Sequence, residues 1–265
     1  MGEIASAAPV HGSDRRLELQ VFGVLTAGAL VGVLAVLPYT LTLTELPSEV
    51  PVPLWLVLAI GAVQNLLIFG AASWLGLWLG GRVGLGAPLL RGWLSGDRKA
   101  GRRFRSSLSM ALLSGAVVGL AIFLLERLLF LPLLPEALRA VSPPAPWQGF
   151  LASFYGGVNE ELLTRLGLMT LLAWLGARLA RLKAPSRGVM WTANVVAALL
   201  FGAGHLPTLS ALAPLTVMLV VRTLLLNGMA GVVFGWLYWR RGLLVAMVAH
   251  FSADVVLHVF GAALA

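Results

Sequence analysis

Cysteine is absent from all 265 residues. Disulfides, thiolate metal sites and cysteine nucleophiles are thereby excluded, and cysteine usage says nothing of the redox compartment. Charge is scarce as well. Asp, Glu, Lys and Arg make up 11% of the chain, where a soluble domain carries about 25%. Mean hydropathy is +0.91 and 59% of residues are hydrophobic. The apolar residues come in runs of helical length, without the ten-residue alternation of a membrane barrel. The fold class read from this is all-α, a polytopic transmembrane helical bundle. A cleavable signal is not evident either. The stretch from Met1 to Glu18 is polar, and the first apolar run is long enough to be a retained span. Repeats, low-complexity tracts and a separate soluble domain are also lacking. The net charge of +8 would suggest nucleic acid if the basic residues were clustered on a domain. They lie between spans, where membrane topology accounts for them, so no nucleic-acid partner is expected.

Apolar runs at roughly 18–44, 54–80, 106–131, 149–178, 188–205, 211–239 and 242–263 predict seven spans. The sixth run is long enough to be two helices, so the expectation is seven to eight. Pro38 and Pro214 are expected to kink or end helices. Basic residues precede the first span (Arg15, Arg16) and fill the 81–105 stretch (Arg82, Arg91, Arg98, Lys99, Arg102, Arg103, Arg105). They recur after the fourth span (Arg178, Arg181, Lys183, Arg187) and before the last (Arg240, Arg241). The intervening connections hold Glu45 and Glu49, a lone Arg139 near Glu136, or no charge at all. Such strict alternation places the N-terminus in the cytoplasm and the C-terminus outside. Residues 1–17 then read as a cytoplasmic tail, and 18–140 as N-terminal helices with a basic cytoplasmic loop over 81–105. That loop is expected to lie against anionic headgroups of the bilayer. The pairs Gly28/Gly32, Gly115/Gly119 and Gly231/Gly235 would let helices approach closely in lipid. Trp147, Trp174, Trp191, Trp236, Tyr238 and Trp239 fit an aromatic belt at span ends.

Against this apolar background stands Val158-Asn159-Glu160-Glu161-Leu162-Leu163-Thr164-Arg165. Each charge at a helix centre costs about 2.5–3.5 kcal/mol on insertion scales, so such residues are functional hypotheses by default. Glu161 and Arg165 are four apart and suit an ion pair on one face. Glu160 points roughly a quarter-turn away and is free to face something else. Further polar residues occur inside later spans. Phe201 and His205 are on the fifth, Arg222 and Asn227 on the sixth, and His250, Asp254 and His258 on the last.

Singly, each has a plain structural explanation. Glu161–Arg165 is a buried pair, His205 an interfacial histidine, His250/Asp254 an interhelical hydrogen bond, His258 an interface residue. Arg222 either snorkels or pairs with an acid. Jointly, Glu160, His205 and His250 on three spans, with Asp254 and Glu161 beside them, form a set that proton or metal chemistry would use. One geometric strain accompanies it. With the fifth span ending at about 205, His205 sits one to two turns off the level of Glu160 at roughly 1.5 Å per residue.

The three motifs Glu160-Glu161-xxx-Arg165, Phe201-xxx-His205 and His250-xxx-Asp254, in that order on separate spans, resemble the CPBP intramembrane proteases. That family includes the type II CAAX prenyl endopeptidases (Rce1-like) and bacterial bacteriocin-processing or self-immunity proteins. The resemblance covers about 150–258, so 141–265 is expected to be the protease core, in a bacterial or archaeal plasma membrane. It implies that Glu160 with His205 activates water and that His250 with Asp254 stabilises the oxyanion or completes the site. Glu161 and Arg165 hold the geometry, with Asn227 in support. The family often has Asn where this chain has Asp254; an ionised Asp cannot donate, and could instead orient His250 or bind metal. Glu160, His205, His250 and Asp254 would also serve as a tetrahedral zinc set, although the His-Glu-xx-His helix of zincins is missing. The implied partner is a membrane-associated peptide or lipidated protein. Two other functions compete: a non-catalytic scaffold or bacteriocin-immunity protein, and, with no internal repeat to favour it, a proton-coupled transporter.

Overall fold

The structure, a computed structural model, describes residues 12–43 and 52–264. Residues 1–11 of the expected tail, and the connection that holds Glu45 and Glu49, lie outside the described residues. Among the described residues every regular element is helical. Seven helices are long and apolar enough to cross a membrane: Arg15–Leu43, Leu54–Val83, Arg98–Leu133, Pro146–Leu179, Arg187–Leu212, Val217–Arg241 and Leu243–Ala263. They are called the first to seventh spans below. The chain is a multi-pass integral membrane protein.

Two boundaries differ from expectation, each for a local reason. The sixth span begins at Val217 rather than near 211 and runs unbroken to Arg241. The residues expected to begin it belong instead to a short helix, Leu206–Leu212, which prolongs the fifth span past His205. Pro207 sits in the first turn of that helix, where its missing N–H leaves no bond unmade. The proline therefore restarts the helix, and Pro214 falls in the gap before the sixth span. The basic 81–105 stretch is mostly helical rather than a loop. A short helix spans Pro88–Leu94. Asp97 then caps the third span by accepting from the Lys99 N–H at 2.8 Å, so residues 98–105 form its first turns.

The fourth span is the hub, packed against the first, second, fifth, sixth and seventh. Leu162, Leu166, Met169 and Ala173 on it are fully buried, with Phe234, Leu237 and Ala249 around them. Small residues permit this closeness. A Cβ on Gly115 would lie 2.0 Å from the Ala249 carbonyl oxygen, and one on Gly235 1.9 Å from Asn194 Oδ1. The expected glycine pairs thus sit at real helix crossings. Of the aromatics at span ends, Trp147 and Trp191 are exposed, whereas Tyr238 is 1% exposed. Its hydroxyl accepts from the Gly86 N–H at 2.9 Å and pairs with Thr170 Oγ1 at 2.7 Å. A buried phenol needs such partners, and the turn after the second span provides one.

Candidate active site

The fourth span does not stay α-helical where the carboxylates sit. It widens to π geometry over Tyr155–Glu160 and again over Leu162–Met169. Gly156, Gly157 and Gly167 lie within these turns, and such π-bulges concentrate at functional positions. The sequence pattern predicts an uninterrupted α-helix here, and the widening has no clear periodic signature. The adjacent carboxylates nevertheless point apart as expected. The Glu161 side chain is 0% exposed and the Glu160 side chain 24%.

Glu161 faces inward. Its Oε1 accepts from His250 Nδ1 at 2.8 Å and lies 3.3 Å from Arg165 Nη1. Arg165, equally buried, also donates to Thr164 Oγ1 and, at 3.2 Å, to the Gly231 carbonyl. Its guanidinium lies over the rings of Phe201 and Phe234, at 5.1 and 5.6 Å from their centroids. Phe234 in turn stacks on His250 at 4.6 Å. The guanidinium that holds Glu161 is thus fixed by two aromatic faces, the Thr164 hydroxyl and the Gly231 carbonyl, and the Glu161 contact fixes the His250 ring and its tautomer. Because Nδ1 faces a carboxylate, it carries the hydrogen and leaves Nε2 toward the cavity.

Glu160 faces a cavity of about 680 Å³. His205, His250, Asp254 and Asn227 line the same cavity. His205 donates Nδ1–H to the Phe201 carbonyl at 2.9 Å, one turn back, which aims its Nε2 at Glu160 Oε1, 3.9 Å away. His250 Nε2 lies 3.5 Å from Glu160 Oε2 and 3.7 Å from Asp254 Oδ1. These separations exceed direct hydrogen bonds, and the polar atoms of these side chains turn toward the same space. The expected misalignment of His205 disappears, because the fifth span runs on to Leu212 and places His205 inside it. Asp254 comes this close because residue 156 lacks a side chain: a Cβ there would lie 1.9 Å from Asp254 Oδ2. Asn227 lines the cavity, but its amide donates to Thr223 on its own helix at 2.9 Å.

Among the described residues, no group of three or more His, Asp or Glu side chains is arranged to hold a metal ion.

Sequence reasoning missed four residues that border this chemistry. Tyr39, Tyr155, Glu126 and Phe234 all line the cavity. Glu126 had a signal, being an acid inside an apolar span, and it is the partner that Arg222 lacked. The pair is bidentate, Arg222 Nε to Oε2 and Nη2 to Oε1, both 2.7 Å. His258 lies one turn beyond Asp254 at the cavity wall, with its Nδ1 3.3 Å from the Tyr39 hydroxyl. Phe234 carried no signal, since one aromatic in an apolar helix looks like any other.

A multi-pass helical bundle with a cavity among its spans, lined by His205, His250 and His258 and by Glu126, Glu160 and Asp254, defines the general class. Residues 142–256 match the family described as Type II CAAX prenyl endopeptidase Rce1-like, so the chain carries an Rce1-like domain over that stretch. The resemblance read from the three motifs is borne out there, and all three fall inside the match. In general terms the domain supports a CAAX-type intramembrane protease role. No curated protein and no solved structure matches the chain.

Proposed function

We propose that this protein is an intramembrane endopeptidase that cleaves lipidated or membrane-tethered peptides with a water activated by Glu160 and His205. The observation that carries this reading is the 3.9 Å and 3.5 Å spacing of Glu160 to the Nε2 atoms of His205 and His250 inside one cavity. A water seated between Glu160 and His205 gives its proton to the carboxylate. Its oxygen attacks the scissile carbonyl carbon, and the carbonyl oxygen becomes an oxyanion. His250, when protonated on both nitrogens, donates Nε2–H to that oxyanion, with Asp254 and Glu161 bracketing the ring. Glu160 then returns the proton to the amine nitrogen as the carbon–nitrogen bond breaks. One carboxylate thus serves as base and then as acid. Glu161 and Arg165 touch no substrate in this scheme; they orient His250.

The test compares substrate termini in membranes that hold wild-type protein, Glu160→Ala or His205→Ala. New termini appear with wild type and are lost in both variants, while both remain inserted and folded. Wild-type processing by both variants would instead leave a scaffold or immunity function. Rigorous metal removal distinguishes the zinc version: hydrolysis by the metal-free protein is expected at the untreated rate, and loss restored by zinc would replace this mechanism.

A further inference from the structure

The two ends of the bundle differ in charge, and the cavity belongs to only one of them. At one end the Gly86 N–H donates to Tyr238 at 2.9 Å and Arg91 pairs with Glu18 at 2.8 Å, which joins the basic ends of the first, second and sixth spans. Fifteen of the nineteen Lys and Arg residues fall at that end, in the four basic segments already named. At the other end Gln148 donates to the Pro38 carbonyl at 2.9 Å and to Thr42 Oγ1 at 2.8 Å. Arg127 donates to the Leu264 carbonyl there at 2.5 Å. Only Arg127, Arg139 and Arg222 lie at this end, and Arg222 is neutralised by Glu126.

The cavity lining falls within 36–43, 122–131, 143–144, 152–160, 201–208, 222–234 and 250–262. For each of the six contributing spans, that is the part away from the basic end. The second span contributes nothing. Basic connections stay in the cytoplasm, and each such Lys or Arg near an anionic surface adds roughly 1 kcal/mol to that preference.

We propose that the cavity opens to the extracytoplasmic side, so that its substrate is a peptide segment anchored in the outer leaflet or delivered to that side. A cytosolic lipidated tail would meet the wrong end of the molecule. The substrate half of this proposal rests on the peptidase reading above; the orientation half does not.

A chain without cysteine needs no background removal for cysteine labelling. Exposed Ser142 and Thr208 lie at the mouth end, and exposed Ser95 and Ser106 at the basic end. Single variants Ser142→Cys and Thr208→Cys should react with a membrane-impermeant maleimide in intact cells. Ser95→Cys and Ser106→Cys should react only after permeabilisation. The reverse pattern, labelling of both ends in intact cells, or a mouth unreactive even after permeabilisation overturns the orientation. Labelling Thr208→Cys from outside should lower substrate processing at least tenfold, and labelling Ser142→Cys should not. Unchanged processing by fully labelled Thr208→Cys overturns entry by this mouth. Repeating the labelling with Glu160→Ala separates the two ideas. A correct pattern with processing that ignores Glu160 would sink the peptidase and leave the orientation standing; a reversed pattern with Glu160-dependent processing would do the opposite.

Discussion

The second and fourth spans are nearly the same length, 30 and 34 residues, yet they live in different solvents. In its most apolar window the second has a mean hydropathy of 2.0 and 6% of residues buried in protein; the fourth has 1.3 and 50%. Trp55, Ile60, Val63 and Leu67 on the second span are all more than half exposed, which is to say exposed to lipid tails. Lipid is as apolar as leucine, so hydrophobicity alone gives a helix no reason to be inside the bundle. What draws the fourth span inside is its polar content and its glycines. Asn159 donates to the Ala29 carbonyl at 2.9 Å, and Glu161 and Arg165 find partners that only protein can supply. In this molecule the least hydrophobic span is the most deeply buried one.

The comparison breaks most sharply at Glu160. Glu160→Ala should lower hydrolysis by about 10²–10⁴-fold, the usual worth of a positioned acid–base group. Thermal unfolding in detergent should barely move, because Glu160 faces a cavity and makes no short ion pair. A variant that unfolds as well as losing activity would mean that Glu160 is part of the packing that holds the fourth span.

Arg165 should behave in the opposite way. Arg165→Met leaves Glu161 charged at 0% exposure beside an arginine-shaped gap. Breaking one side of a buried pair costs about 3–5 kcal/mol, read as a lowered unfolding temperature. The double variant Glu161→Leu with Arg165→Met should recover most of that stability, since apolar residues replace buried pairs at little cost. It should not recover hydrolysis, because His250 loses the acceptor at Nδ1. If the double variant is fully active, His250 does not need Glu161 to orient it.

Much of this was legible beforehand. Span number, the alternation of basic connections and the three polar motifs are all strong one-dimensional signals, and Glu160, His205, His250 and Asp254 do share one cavity. Three things were not legible, each for a physical reason. The end of the fifth span at about 205 is the natural reading of its apolar run, but Pro207 occupies the first turn of a helix that continues to Leu212. The π turns of the fourth span begin where Gly156 and Gly157 meet the seventh span, a contact with no local periodicity. Glu126 was overlooked because its partner Arg222 lies 96 residues away.

The smallest effects test whether glycine matters by place or by presence. At Gly156 a Cβ would meet Asp254 Oδ2 at 1.9 Å and His250 Nε2 at 3.2 Å. Overpacking of this kind costs about 1–3 kcal/mol, and because the displaced groups line the site, Gly156→Ala should lose activity at least tenfold. At Gly61 on the second span nothing lies within 4 Å. Gly61→Ala should keep full activity and gain at most about 0.5–1 kcal/mol of stability from the better helix former. The pair is best measured together, as hydrolysis rate and unfolding temperature in one detergent. An inactive Gly61→Ala would show that the second span does more than face lipid, and the contrast between the two spans would then need another cause.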